Sequence, residues 1–268
     1  MSASLRRELI GGRRQGRTSL IGYLPVGYPT PTRFLELVEA ASSAGIDALE
    51  LGLPVAEPES LDGEGPIIRE ALAVASAQCD SELGFELLAE VRSLVAVPLV
   101  ALIYSAEIEE TPIGRFLESC RSAGADAVLV PDLRIESQLD VALEATSVGL
   151  EVVVFLASPN QGHLVRERSG GLVGYLASST GSTGGHLDPD TVSRRVARLR
   201  QEAPSLPLIV GFGVWSTSDA VAVAEAGADG VAIGSALVRS GRDGPGHMGE
   251  LVRAASSALR DAEGAYGT

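Results

Sequence analysis

The chain has 268 residues, 45% of them hydrophobic and only 4% aromatic, with a formal net charge of −14. That length supports one large domain with a continuous core of Ala, Val, Leu and Ile. The charge argues against nucleic-acid binding, which needs clustered positive residues, so an anionic ligand would have to be held locally by backbone amides or a few arginines. No apolar run approaches the roughly 18–20 residues of a membrane span. The Arg-rich start, Met1–Arg17, lacks the apolar stretch of a secretory signal and reads as a solvated helix face. Two cysteines, Cys79 and Cys120, make no disulfide framework and suit a reducing cytoplasm.

There is no lysine; the 21 basic residues counted with it are all arginine. Imine chemistry needs a primary amine, so Schiff-base aldolases and barrels with a catalytic lysine are excluded. His163, His186 and His247 are scattered without ligand-like spacing, so no metal is expected.

In chain order, the predicted strands are Ser19–Leu24, Asp47–Leu51, Pro98–Tyr104, Ala127–Val130, Glu151–Leu156, Leu172–Ala177, Pro207–Gly211 and Gly230–Ile233. They are continuous apolar runs, as in parallel strands covered by helices on the outside. Amphipathic helices are predicted between them at Thr32–Ala44, Phe85–Val95, Thr111–Ala123, Glu136–Val148, Asp188–Glu202 and Ser216–Ala226. Gly45, Gly124, Gly149 and Gly227 stand where helices end, as C′ glycines do. The phrases AGIDALELG, AGADAVLVPD and AGADGVAIGS repeat one βα theme. Eight such units predict an α/β fold, a single (β/α)8 (TIM) barrel domain over 1–268, with an open doubly wound sheet as the alternative.

In such barrels the chemistry sits on loops after the strand C-termini. GFG (Gly211–Gly213) follows the seventh strand, and Gly234–Ser235 follows the eighth and opens a helix. SSTGSTGG (Ser178–Gly185) follows the sixth. Glycines let backbone approach a ligand, and a helix N-terminus offers free N–H groups. Together they predict a phosphate site.

The segments GYLPVGYP (Gly22–Pro29), ALELGLP (Ala48–Pro54), LIY (Leu102–Tyr104), VLVPDL (Val128–Leu133), Pro159–Asn160, GYLASSTGSTGG (Gly174–Gly185), GFGV (Gly211–Val214) and AIGSALV (Ala232–Val238) occur in an order and spacing that resembles the tryptophan synthase alpha chain family over nearly the full length. The resemblance implies cleavage of indole-3-glycerol phosphate to indole and glyceraldehyde 3-phosphate without cofactor or metal. It also leaves a PLP-dependent beta chain as candidate partner. A retro-aldol step without imine or Lewis acid must run on Brønsted acids and bases, and the indole can serve as electron sink.

By this resemblance Glu50 is the catalytic acid, and Tyr175 orients or assists. Tyr23, Leu102, Tyr104, Leu156 and Phe212 form the apolar wall around the indole, and Asp132 has a structural or subtle catalytic role. Thr183, Gly184, Gly213, Gly234 and Ser235 form the phosphate cradle. Glu50 would need its pKa raised by burial.

The pattern breaks after the second strand. The family reads roughly Pro-Phe-Ser-Asp-Pro-Leu-Ala-Asp-Gly-Pro; this chain reads PVAEPESLDGEGP (Pro54–Pro66), about three residues longer. The family aspartate that binds the indole N–H has two possible heirs: Asp62 keeps the Asp-Gly pair, and Glu64 keeps the Gly-Pro context. A misplacement of about 1 Å can cost on the order of 100-fold in rate. The rewritten loop therefore leaves two alternatives open: a lyase for a different phosphorylated aldol, and a weakly active subunit that regulates a partner enzyme.

Overall fold

A computed structural model describes residues 3–61, 63–109, 112–166, 171–178 and 185–266. In chain order it runs α1 (Leu5–Arg14), β1 (Ser19–Pro25), α2 (Pro31–Ala44), β2 (Ala48–Gly52), α3 (Pro66–Ser76), α4 (Ser81–Leu94), β3 (Leu99–Leu102), α5 (Ser105–Glu109), α6 (Ile113–Ser122), β4 (Ala127–Leu129), α7 (Ile135–Ser147) and β5 (Glu151–Leu156). There follow the one-turn α8 (Gly162–Val165), β6 (Leu172–Ala177), α9 (Pro189–Glu202), β7 (Leu208–Gly211), α10 (Thr217–Glu225), β8 (Gly230–Ile233), α11 (Ser235–Arg242) and α12 (Pro245–Tyr266). All eight strands pair in parallel, and β8 closes on β1. The closed (β/α)8 barrel replaces the open-sheet alternative, and each predicted strand falls within a residue or two of the observed one.

The repeated Gly-x-Asp theme has a structural cause. The carboxylate of Asp47 accepts the Leu20 N–H at 2.8 Å, Asp126 that of Leu99 at 3.0 Å, and Asp229 that of Leu208 at 2.7 Å. Each aspartate thus ties the start of one strand to its neighbour at the N-terminal rim. Each also meets an arginine: Arg17, Arg92 and Arg200, at 2.9, 2.9 and 2.8 Å respectively. A carboxylate in a barrel wall needs such partners to offset its desolvation. The helix-ending glycines expected at C′ take the left-handed backbone, Gly45 with φ 101°.

The N-terminal segment is more than a solvated face. Ser4 caps α1, and Leu5 and Leu9, one turn apart, are fully buried. Leu9 packs against Gly230 at the start of β8. The Ser4 hydroxyl and Arg6 N–H both bond Glu151 at the start of β5. α1 therefore covers the barrel floor, where its Arg13 also reaches the buried Asp229 at 3.4 Å. Among the described residues, no helix is long and apolar enough to cross a membrane.

Candidate active site

The barrel's C-terminal mouth holds an open cavity, with about 630 Å3 of empty space when the adjoining open solvent is included. Tyr23 on β1 and Glu50 on β2 are register partners and both line it. Glu64, ahead of α3, and Ile68 on α3 close one side.

Glu50 is only 2% exposed, and among the described residues its Oε1 has no hydrogen-bond partner. Loss of hydration disfavours the carboxylate, and the nearby Glu64 charge adds to this. The result is a pKa pushed up to about 8, so Glu50 stands protonated at neutral pH. The ordering of the two carboxylates, one neutral and one facing it, is the arrangement that lets one site hold an acid and a base. Burial also holds the Tyr23 and Tyr175 phenols well above their ordinary value, with Glu64 and Glu50 adding to it.

Tyr175 comes from β6, directly opposite Phe155 on β5 in the register. With Phe212 the two form an aromatic cluster, with centroids 5.9, 5.7 and 6.1 Å apart, suited to a flat ring ligand. A Cβ at Gly211 would overlap the Tyr175 hydroxyl, so the glycine makes room for it. Leu102 lines the cavity as expected, together with Leu129.

Leu156 does not. It is fully buried, and it packs beside Gly174 on the helix side of the sheet. The inward residue is its neighbour Phe155. Successive side chains of a strand face opposite ways, so a slip of one residue exchanges cavity for core. Tyr104 is buried too, but it meets the site through its hydroxyl, which donates to Glu64 Oε1 at 3.0 Å. Asp132 is exposed and outside the cavity lining; its carboxylate accepts the Ser105 N–H at 2.9 Å and the Ser105 hydroxyl at 2.7 Å. It joins the segments after β3 and β4.

At the other end of the cavity stand Gly213, Gly234 and Ser235. Ser235 is the first residue of α11, and Gly234 at the cap offers no side chain, so the first N–H groups of the helix face the cavity uncapped. Gly213 has φ 69°, and a Cβ there would come within 3.0 Å of the Gly185 carbonyl oxygen. Phe212, at φ 74°, shares this left-handed turn, and the Ser178 hydroxyl bonds its carbonyl at 2.6 Å. Asp62, Thr183 and Gly184 lie outside the described residues.

Sequence reasoning missed Trp215, which lines the cavity beside Gly213 and donates its indole N–H to the Gly185 carbonyl at 2.9 Å. The signal was present: it is the only tryptophan, and it stands directly after GFGV. Among the described residues no group of histidine, cysteine, aspartate and glutamate side chains is placed to hold a metal.

The comparisons with known proteins agree with this layout. A family model described as tryptophan synthase alpha chain matches residues 11–260. The alpha chain of Synechococcus sp. (strain CC9902) is 32% identical over 244 residues, covering 89% of this chain and 88% of the relative. That of Methanosarcina acetivorans is 32% identical over 247 residues, covering 90% and 87%. A solved structure of Mycobacterium tuberculosis tryptophan synthase has TM-score 0.85 and 25% identity over 97% of this chain and 99% of that one. A matching model over most of the chain, relatives above 30% identity across most of their own length and a common barrel lead to one conclusion: the chain belongs to the tryptophan synthase alpha chain family.

Proposed function

We propose that the protein is a lyase that cleaves indole-3-glycerol phosphate to indole and glyceraldehyde 3-phosphate. The observation that carries this reading is the buried, protonated Glu50 sharing one cavity with Glu64. Glu50 gives its proton to indole C3 while Glu64 takes the N1 proton, which leaves a 3H-indole with a C2=N1 double bond. The Glu50 carboxylate then accepts the proton of the hydroxyl on the carbon bonded to C3. That carbon becomes the aldehyde, and the electron pair of the breaking C–C bond forms C2=C3 as Glu64 returns its proton to N1. Both carboxyl groups end as they began, and no imine or metal is needed.

Phe155, Tyr175 and Phe212 pack on the ring, with Tyr175 near the reacting carbons. Gly213, Gly234 and Ser235 hold the phosphate, with Thr183 and Gly184 of the preceding loop as further members of the cradle. Of the two heirs to the family aspartate, Glu64 is our assignment, because it is in the cavity lining. The protein works as one barrel domain in the cytoplasm, and the indole it forms passes to a tryptophan synthase beta chain.

The test is indole release from purified protein given indole-3-glycerol phosphate, alone and with a beta chain. Slow release that the beta chain accelerates is expected of an alpha subunit. Fast release without it would mark a stand-alone lyase, and none under either condition would overturn the assignment.

A further inference from the structure

Tyr104 belongs to the expected apolar wall by sequence, yet its ring is only 3% exposed and is absent from the cavity lining. What reaches the site is its hydroxyl, 3.0 Å from Glu64 Oε1. We propose that Tyr104 is a positioning residue: its hydroxyl fixes the Glu64 carboxylate for the indole N–H. This rests on the lyase reading above.

The chain has a reason to need such a residue. Glu64 stands where the family has an aspartate, on a longer loop, and a glutamate brings one more rotatable bond. An unanchored carboxylate would sample several rotamers, and a displacement of about 1 Å is enough to lower a rate on the order of 100-fold. The bond from the buried Tyr104, two residues past β3, selects one of them. The hydroxyl stays a donor, because burial and the Tyr23, Glu64 and Asp132 charges hold the phenol well above its ordinary value.

The same bond also bears on the charge of Glu64. A donated hydrogen bond favours a carboxylate over its acid. Facing Glu64 across the cavity are Glu50 from β2, Tyr23 from β1 and Tyr175 from β6. With Glu64 held ionised, its charge helps keep Glu50 protonated.

The test is a double-mutant cycle on indole release from indole-3-glycerol phosphate, using the wild type, Tyr104→Phe, Glu64→Gln and the double variant. Tyr104→Phe is expected to lower kcat about 10- to 100-fold with KM changed less than about twofold, and to move the acid limb of the kcat profile to higher pH. In the Glu64→Gln background it should cost nothing further. Glu64→Asp supplies a second check that leaves Tyr104 intact: shortening the side chain should break the bond, and adding Tyr104→Phe to it should again have no effect. An equal loss in all backgrounds, or a rise in KM with an unmoved acid limb, would make Tyr104 part of the wall and overturn the proposal while leaving the lyase assignment standing. A wild type that releases no indole would remove both.

Discussion

Tyr23 and Glu50 sit side by side on neighbouring strands, and each carries a buried oxygen without a partner among the described residues: the Tyr23 hydroxyl and Glu50 Oε1. Two unsatisfied polar atoms on adjacent inward positions cost a folded protein on the order of 1–3 kcal/mol each. Such a cost persists where a ligand is to meet it. In the lyase reading, the substrate hydroxyl on the carbon bonded to C3 would meet Glu50.

Replacing Glu50 with Gln removes the proton while keeping the shape. Indole release is expected to fall at least 100-fold, the scale of general acid–base catalysis, with substrate binding kept within a few-fold. In the wild type, kcat/KM should decline as pH rises through about 8, because Glu50 then loses its proton. Rates across pH 6–9 check both; a variant as active as the wild type would remove Glu50 from the reaction.

The same carboxyl group makes stability depend on pH. Its pKa is about 8 when folded against 4.5 as the ordinary value, so the folded state binds the proton more tightly. Unfolding therefore becomes easier as pH rises from about 4.5 to about 8, by on the order of 5 kcal/mol, and levels off above that. Glu50→Gln has no such dependence. Denaturant titrations should find the variant more stable than the wild type at pH 8, with the difference vanishing below about pH 4.

The strands were legible because a parallel sheet under helices leaves continuous apolar runs, and all eight predicted segments became strands. Facing was less legible. In an unbroken run such as EVVVFL nothing alternates, so choosing Leu156 rather than Phe155 for the wall was a choice the pattern does not make. α1 was misread for another reason: four arginines hide the Leu5–Leu9 pair that buries itself beneath the barrel. Gly213 and Gly234 of the predicted glycine loops both line the cavity, Gly213 at a positive φ of 69°. The Tyr104–Glu64 bond was not legible at all, since it joins residues 40 apart on different elements.

At the phosphate end, Ser235→Ala should raise KM about 5- to 10-fold and leave kcat within twofold, the loss of one charge-assisted bond. Gly213→Ala should do more. Its new Cβ faces the Gly185 carbonyl oxygen and Leu187 N at 3.0 Å, on a backbone of φ 69°, a conformation costing roughly 1–3 kcal/mol outside glycine. Steady-state kinetics with thermal melting separate the two effects: Ser235→Ala should leave the melting temperature alone, and Gly213→Ala should lower it.

Trp215 allows the cradle to be followed without turnover. As the only tryptophan, it supplies the whole indole emission of the protein. Its ring lines the cavity beside Gly213, and its N–H bond to Gly185 ties the segment after β6 to the one after β7. A phosphate at Gly213, Gly234 and Ser235 would place negative charge close to that ring. Titration with glyceraldehyde 3-phosphate, which fills the phosphate end alone, should therefore shift or quench the emission in a saturable way, and Ser235→Ala should move the midpoint to higher concentration. Trp215→Phe keeps most of the apolar wall and loses the bond to Gly185, so KM should rise several-fold and kcat should change less. An emission that stays constant while the same ligand inhibits indole release would place the phosphate elsewhere in the barrel mouth.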